Sequence, residues 1–118
     1  MAKDPKEIAI GYFERLLNDK DLTVCDEALA ANYVDHDAPP DSAAGPGATK
    51  AYVSQMPKDI PDLNIEIRDH FSDGEKVALR IEWFGRNRHS GKVFNKKGLV
   101  ILHFNSAAQI KERWSAYF

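Results

Sequence analysis

The sequence predicts an α+β fold in which N-terminal helices come first and an antiparallel sheet follows. Three observations carry it. Apolar residues recur at helical spacing before Pro61, they alternate with polar residues in steps of two after it, and no repeat, low-complexity tract or flexible linker divides the 118 residues. A chain of this length suits one compact domain, 1–118, with a sizeable core.

In DPKEIAIGYFERLLND, Ile8, Ala9, Tyr12, Phe13, Leu16 and Leu17 form one apolar helical stripe. Asp4 can cap this helix, Pro5 suits its first position, and Glu7 sits where a capping-box carboxylate reaches back. Gly11 weakens the middle by about 1 kcal/mol relative to alanine, which predicts a close helix contact there. A second helix is expected from Leu22 to Asn32, with Asp21 as cap and Leu22, Cys25, Ala28 and Leu29 inward. YVDH, residues 33–36, then reads as a short strand, and PPDSAAGPG, residues 39–47, as a loop of turn formers. A short third helix follows, burying Tyr52, Val53 and Met56 and ending near Pro57.

After Pro61, Leu63, Ile65 and Ile67 alternate with Asn64, Glu66 and Arg68, and SDG turns the chain. Val77, Leu79, Ile81 and Trp83 form the apolar side of the next strand. NRHSGK turns again, and GLVILHF is apolar on both faces, as a central strand covered above and below would be. In the last strand Ile110, Glu112, Trp114, Ala116 and Phe118 share a side and oppose Lys111, Arg113, Ser115 and Tyr117.

Composition narrows the function classes. A formal net charge of −2 with scattered Lys and Arg offers no footprint for nucleic acid, and Lys96 with Lys97 reads as a solvated hairpin face. The longest apolar run, Leu99 to Leu102, is far too short to cross a bilayer, and the charged N-terminus does not read as a secretory signal, so cytoplasmic residence is expected. Cys25 is the only cysteine and reads as a small buried hydrophobe. The sole G-x-G, Gly45-Pro46-Gly47, lacks a strand-turn-helix context, and no nucleophile elbow surrounds a serine.

Four stretches, NYVDHDAP, IPDLNIEIRDHFSDGEKVALRIEWFG, SGKVFNKKGLVILHF and QIKERW, together resemble the SnoaL-like polyketide cyclases of the nuclear transport factor 2-like superfamily. The resemblance covers nearly the whole chain and rests on the order and spacing of the four. It implies a cone, or cystatin-like roll, in which a curved antiparallel sheet wraps the helices around a pocket, in a homodimer packed through the sheets. His89, Ser90 and Gly91 match either a histidine-threonine-glycine motif of many members or the later start of the next strand. The aldol-type cyclases are implied to use an aspartate on the last strand as general base. This chain reads Ser115, Ala116, Tyr117 and Phe118 after Trp114, with no carboxylate.

Two residues are candidates to replace that base. Alternation pairs His36 with Val34, expected inward, and turns Tyr33, Asp35 and Asp37 the other way; an imidazole on the pocket can move a proton near neutral pH. Set beside it is the reading of His36 as a satisfied core-edge histidine. Glu112, by parity with Ile110 and Trp114, is expected on the apolar face, where desolvation raises a carboxylate's proton affinity unless Arg80 or Arg113 pairs with it. Tyr52, Met56, Trp83 and Trp114 are candidate pocket residues, with core packing the alternative. His103 can face either way, and His70 is expected in solvent.

Three adjacent strand residues cannot close around one ion, so Asp35, His36 and Asp37 predict no metal site, and no cofactor is expected. The expected function is cofactor-independent acid/base chemistry, of cyclase or isomerase type, on a small apolar carbonyl compound. A noncatalytic ligand-binding or dimerisation module on the same scaffold is the alternative, since fold does not fix function.

Overall fold

The computed structural model describes residues 4–39, 41–42 and 44–118. Met1 to Lys3, and Pro40 and Ala43 within the expected loop, lie outside the described residues. Helix α1 (Pro5–Phe13) starts where the capping signals place it, with Asp4 accepting a 3.0 Å bond from the Lys6 N–H. The chain then widens into one π-helical turn (Glu14–Asn18). There Asn18 grips the backbone of Ile65 twice, accepting from its N–H at 2.7 Å and donating to its carbonyl at 3.1 Å. A helix end is thereby fixed to a strand 47 residues away.

Gly11 has no close contact, contrary to expectation: an added Cβ would meet nothing within 4 Å. With space free and a helical backbone, Gly11→Ala should stabilise the protein by about 0.5–1 kcal/mol, read as a midpoint a few degrees higher in thermal melts. A lower midpoint would contradict this.

Helix α2 (Thr23–Ala28) is shorter than expected. Leu29 to Asn32 belong instead to strand β1 (Leu29–Asp35), which pairs in parallel with the last strand at Leu29 and again at Val34 and Asp35. Helix α3 (Pro46–Asp59) runs through Pro57 to end at Asp59, since a proline near the end removes only one ladder donor and Ile60 N–H still reaches Met56 at 2.9 Å. Of the three residues expected to be buried there, Val53 is buried, Met56 half-buried, and Tyr52 is 66% exposed.

The sheet has five strands in the order β1-β5-β4-β3-β2. Strands β2 (Asn64–Asp73), β3 (Lys76–Arg86), β4 (Val93–Phe104) and β5 (Ile110–Tyr117) form an antiparallel meander, and β1 adds in parallel at the β5 edge. Extra residues break the register of β2 at Arg68 and of β5 at Lys111. Such bulges bend and coil a sheet, and this one curves around α1. The core lies between them, with Tyr12 and Phe13 of α1 against Val77, Leu79, Ile81, Val100, Leu102, Phe104 and Ile110.

β4 is the middle strand, as its apolar sequence suggested, but only one of its faces is covered. Val100, Leu102 and Phe104 are buried, while Leu99 and Ile101 are 49% and 43% exposed. The outer face of the sheet is therefore apolar at its centre and uncovered within the chain.

Candidate functional site

A cavity of about 980 Å³ lies between α3, the loop after β1 and the inner face of the sheet. That is the upper end of the range for small-molecule sites, about 300–1,000 Å³. Tyr52, Met56 and Trp83, three of the four pocket residues expected from sequence, line it. Trp114 is not among its lining residues.

The reason is the bulge in β5. Phe104 pairs with Ile110 but His103 pairs with Glu112, so Lys111 is an extra residue and the alternation inverts after it. A one-residue slip moves every later side chain to the opposite face. Ile110 stays in the core, whereas Glu112 and Trp114 fall beside His103 and Ile101 on the outer face. Arg113, Ser115 and Tyr117 turn inward and line the cavity. The expectation that Glu112 and Trp114 share the side of Ile110 is corrected by this single residue.

The parity of β1 is likewise opposite to expectation. Tyr33 is 3% exposed in the core and Val34 is 39% exposed outside. Asp35 pairs with Arg113, so Tyr33, Asp35 and Asp37 belong to the cavity side. His36 stands at the cavity rim, its ring stacked on Trp114 with centroids 4.7 Å apart and planes 12° apart.

The structure does bring His36 and Glu112 together. His36 Nε2 lies 2.9 Å from Glu112 Oε2, and the other Glu112 oxygen lies 3.1 Å from His103 Nδ1. His103 Nε2 is in turn 3.5 Å from Glu75. Hydrogen bonds from His36, then from His103, hold the Glu112 carboxyl below its usual range against a smaller opposing effect of burial. Of the two alternatives, the carboxyl is the paired one, with two imidazoles in the place expected of Arg80 or Arg113 stabilising the anion.

A lowered folded-state value stabilises the protein above the unfolded value, about pH 4.3, and is lost as pH falls through the folded one. Glu112→Gln should therefore melt below the wild type at pH 7, with the gap closing under about pH 4. Equal midpoints at pH 7 would contradict the network.

Inside the cavity the polar groups are differently arranged. Asp37 accepts the Ser115 N–H at 2.6 Å, a structural bond tying the end of β1 to β5. Asp35 uses Oδ1 to accept the Asp37 N–H at 3.0 Å. Among the described residues no cation comes within ion-pair distance of Asp35. Arg113 donates from Nη2 to the Tyr117 hydroxyl at 2.8 Å and lies over the Phe13 ring, 5.5 Å from its centroid. Its Nε is buried and has no acceptor among the described residues. Burial pushes the Tyr33 phenol up to about 12, so it remains a neutral neighbour of this guanidinium.

Asp35, Arg113, Ser115 and Tyr117 were missed as site residues because strand parity was counted from Ile110 and from Val34. Counting outward from Tyr33, a large aromatic that favours burial, would have turned Asp35 inward. His89 lies away from this group, 3.1 Å from Asp59 at the end of α3, and His70 is exposed. Among the described residues no three His, Cys, Asp or Glu side chains are arranged to hold a metal ion, and no helix is long and apolar enough to cross a membrane.

Solved structures share this architecture along nearly the whole chain. TsrD from Streptomyces laurentii superposes with a TM-score of 0.87 at 18% identity, covering 99% of this chain and 90% of that one. IdmH from Streptomyces antibioticus gives 0.84 at 22% identity, with 98% and 92% covered. A SnoaL-like polyketide cyclase from Agrobacterium tumefaciens gives 0.83 at 19%, with 99% and 93% covered. At these identities the likeness is one of fold. No curated protein matches the chain. The family model for SnoaL-like polyketide cyclase matches residues 7–117, and with that span, the cone-like architecture and the cavity all in one chain, it belongs to the SnoaL-like polyketide cyclase family.

Proposed function

We propose that the chain is a cofactor-independent acid/base enzyme, of cyclase or isomerase type, acting on a small apolar carbonyl compound held in the cavity. The observation that carries this reading is Asp35: a carboxylate in the cavity wall, one oxygen held by a backbone N–H and the other, among the described residues, free of any cation. It occupies the strand beside β5, so a carboxylate from β1 stands in for the aspartate that the last strand lacks after Trp114.

The free Asp35 oxygen removes a proton from carbon next to the substrate carbonyl, and the C–H electron pair becomes the C=C of an enolate. In an isomerase the proton returns to another carbon. In a cyclase the enolate carbon forms a C–C bond to a second carbonyl carbon of the same molecule, whose oxygen takes the proton from Asp35. Trp83, Tyr52 and Met56 supply apolar walls that exclude water and hold the carbon skeleton.

The test is exchange of the acidic α-hydrogens of 2-tetralone for deuterium, followed by NMR in D2O. His36→Gln and Glu112→Gln belong in the same assay as the second candidate base. If they abolish exchange and Asp35→Asn does not, the chemistry runs from the rim and the Asp35 assignment falls. No exchange above buffer in any protein, with 2-tetralone bound, favours the noncatalytic binding module.

The chain also acts as a homodimer in this reading, packed through the outer faces of the sheets. The exposed Leu99 and Ile101 at the centre of that face, with Val34 on its edge strand, support it. Ile101→Asp should sediment as a monomer at micromolar concentration where the wild type sediments as a dimer; a monomeric wild type would refute the assembly.

A further inference from the structure

We infer that Tyr117 is the group that holds the substrate oxygen as negative charge develops on it, with Arg113 polarising Tyr117 from behind. The inference rests on the enolate chemistry above and assigns its second half. Tyr117 lines the cavity, and its hydroxyl oxygen is occupied by the N–H of Arg113 at 2.8 Å. A phenol has one hydrogen to give. Among the described residues that hydrogen has no acceptor, so it is free for a ligand.

Arg113 is a cation at any physiological pH, has no carboxylate within ion-pair distance among the described residues, and keeps a buried Nε without an acceptor. A guanidinium in such surroundings is best compensated by an anion, and the cavity is where one can form. When Asp35 takes a proton it loses its charge and the enolate oxygen gains one, so the positive charge of Arg113 is balanced before and after the step. A second buried donor in the same wall, the Trp83 indole N–H, also lacks a partner among the described residues, and its ring meets that of Tyr117 edge-on at 6.2 Å. Both donors are closed off from the cavity, so they act on a ligand only through the positive field they add to this wall, and the direct contact falls to the Tyr117 hydroxyl.

Gly98 makes the arrangement possible. It faces Tyr117 across the β4–β5 pair, and a Cβ there would stand 2.7 Å from Cδ1 and Cε1 of the ring. Because glycine has no Cβ, the ring of Tyr117 can occupy that space. Gly98→Ala should therefore displace Tyr117 without touching its hydroxyl or the substrate.

The experiment uses 2-naphthol, whose ionised form carries an oxyanion and has its own absorbance band, titrated from pH 6 to 10 with each protein. In the wild type, bound naphthol should ionise at lower pH than free naphthol. Tyr117→Phe and Gly98→Ala should each weaken naphtholate binding about ten-fold or more, the loss of one hydrogen bond to a charge, while neutral naphthol binds as before. Arg113→Gln should move the ionisation to higher pH, and Arg113→Lys should restore part of the shift. Asp35→Asn, which removes the competing carboxylate, should strengthen naphtholate binding.

Tyr117→Phe is only a hydroxyl deletion at a 40% exposed position, so it folds and decides the matter even if Gly98→Ala does not. Equal naphtholate affinity in wild type and Tyr117→Phe, or no preference for the ionised form in the wild type, overturns the assignment. Because this readout needs no proton transfer by Asp35, failure here is distinguishable from failure of the deuterium-exchange test.

Discussion

Asp35→Asn is expected to lower the rate of deuterium exchange into 2-tetralone by about 10²–10⁴-fold, the usual contribution of one positioned base. The amide keeps the shape of the side chain and can still accept the Asp37 N–H through its oxygen, now 3.0 Å away. It cannot take up the proton. Since Asp35 is half-buried and outside any ion pair among the described residues, circular dichroism and the melting midpoint should change little. A neighbouring control separates the two aspartates: Asp37→Asn breaks the 2.6 Å bond to the Ser115 N–H and should cost stability more than exchange. Exchange that survives Asp35→Asn intact would remove this residue from the chemistry.

Deleting Lys111 should be the most damaging single change to the fold. Without the bulge, the residues after Ile110 continue in simple alternation, and two outcomes compete. Either Glu112 and Trp114 rotate toward the helices and Arg113, Ser115 and Tyr117 leave the cavity, or the strand slips and strains both its neighbours. The first buries a carboxylate now held by two imidazoles, and each outcome forfeits several buried contacts, so a loss of about 3–5 kcal/mol is expected from urea unfolding. Lys111→Ala, which keeps the residue count, should be within about 0.5 kcal/mol of the wild type. A deletion variant as stable as Lys111→Ala would show that the extra residue does not set the parity.

The architecture was legible because it rests on period and punctuation. Asp4, Pro5 and the Tyr12, Phe13, Leu16 stripe specified the first helix, and the two-residue rhythm of Val77, Leu79, Ile81 and Trp83 specified a strand with the correct side inward. What failed was whatever depends on a partner strand. The stretch from Leu29 to Asn32 reads as helix by local preference and became extended because the chain joins β5 at Leu29 and again at Val34 and Asp35, with an irregular stretch between. The direction of Glu112 turned on one residue in an otherwise regular alternation, and periodicity carries no signal for a bulge.

The same limit governs the site. His36 and Glu112 were singled out as reactive side chains and do meet, at 2.9 Å, but across two strands whose parities were both inverted. The inversion exchanged the two sides: the expected bases went to the rim and outer face, and Asp35, Arg113 and Tyr117 took the cavity. Of the expected pocket residues only Trp114 moved out, since Tyr52 and Met56 are placed by a helix and Trp83 by a regular strand.

Site-directed thiol labelling reads that exchange of sides without knowledge of any substrate. Cys25 is buried and its thiol is pushed up to about 11 by burial, so it contributes little background at pH 8. With 2-naphthol in the cavity, Ser115→Cys should label several-fold more slowly, while Ala116→Cys, one residue on and facing outward, should label at an unchanged rate. Protection of position 116 with none at 115 would place the outer row of β5 against the ligand and contradict the site described for this chain.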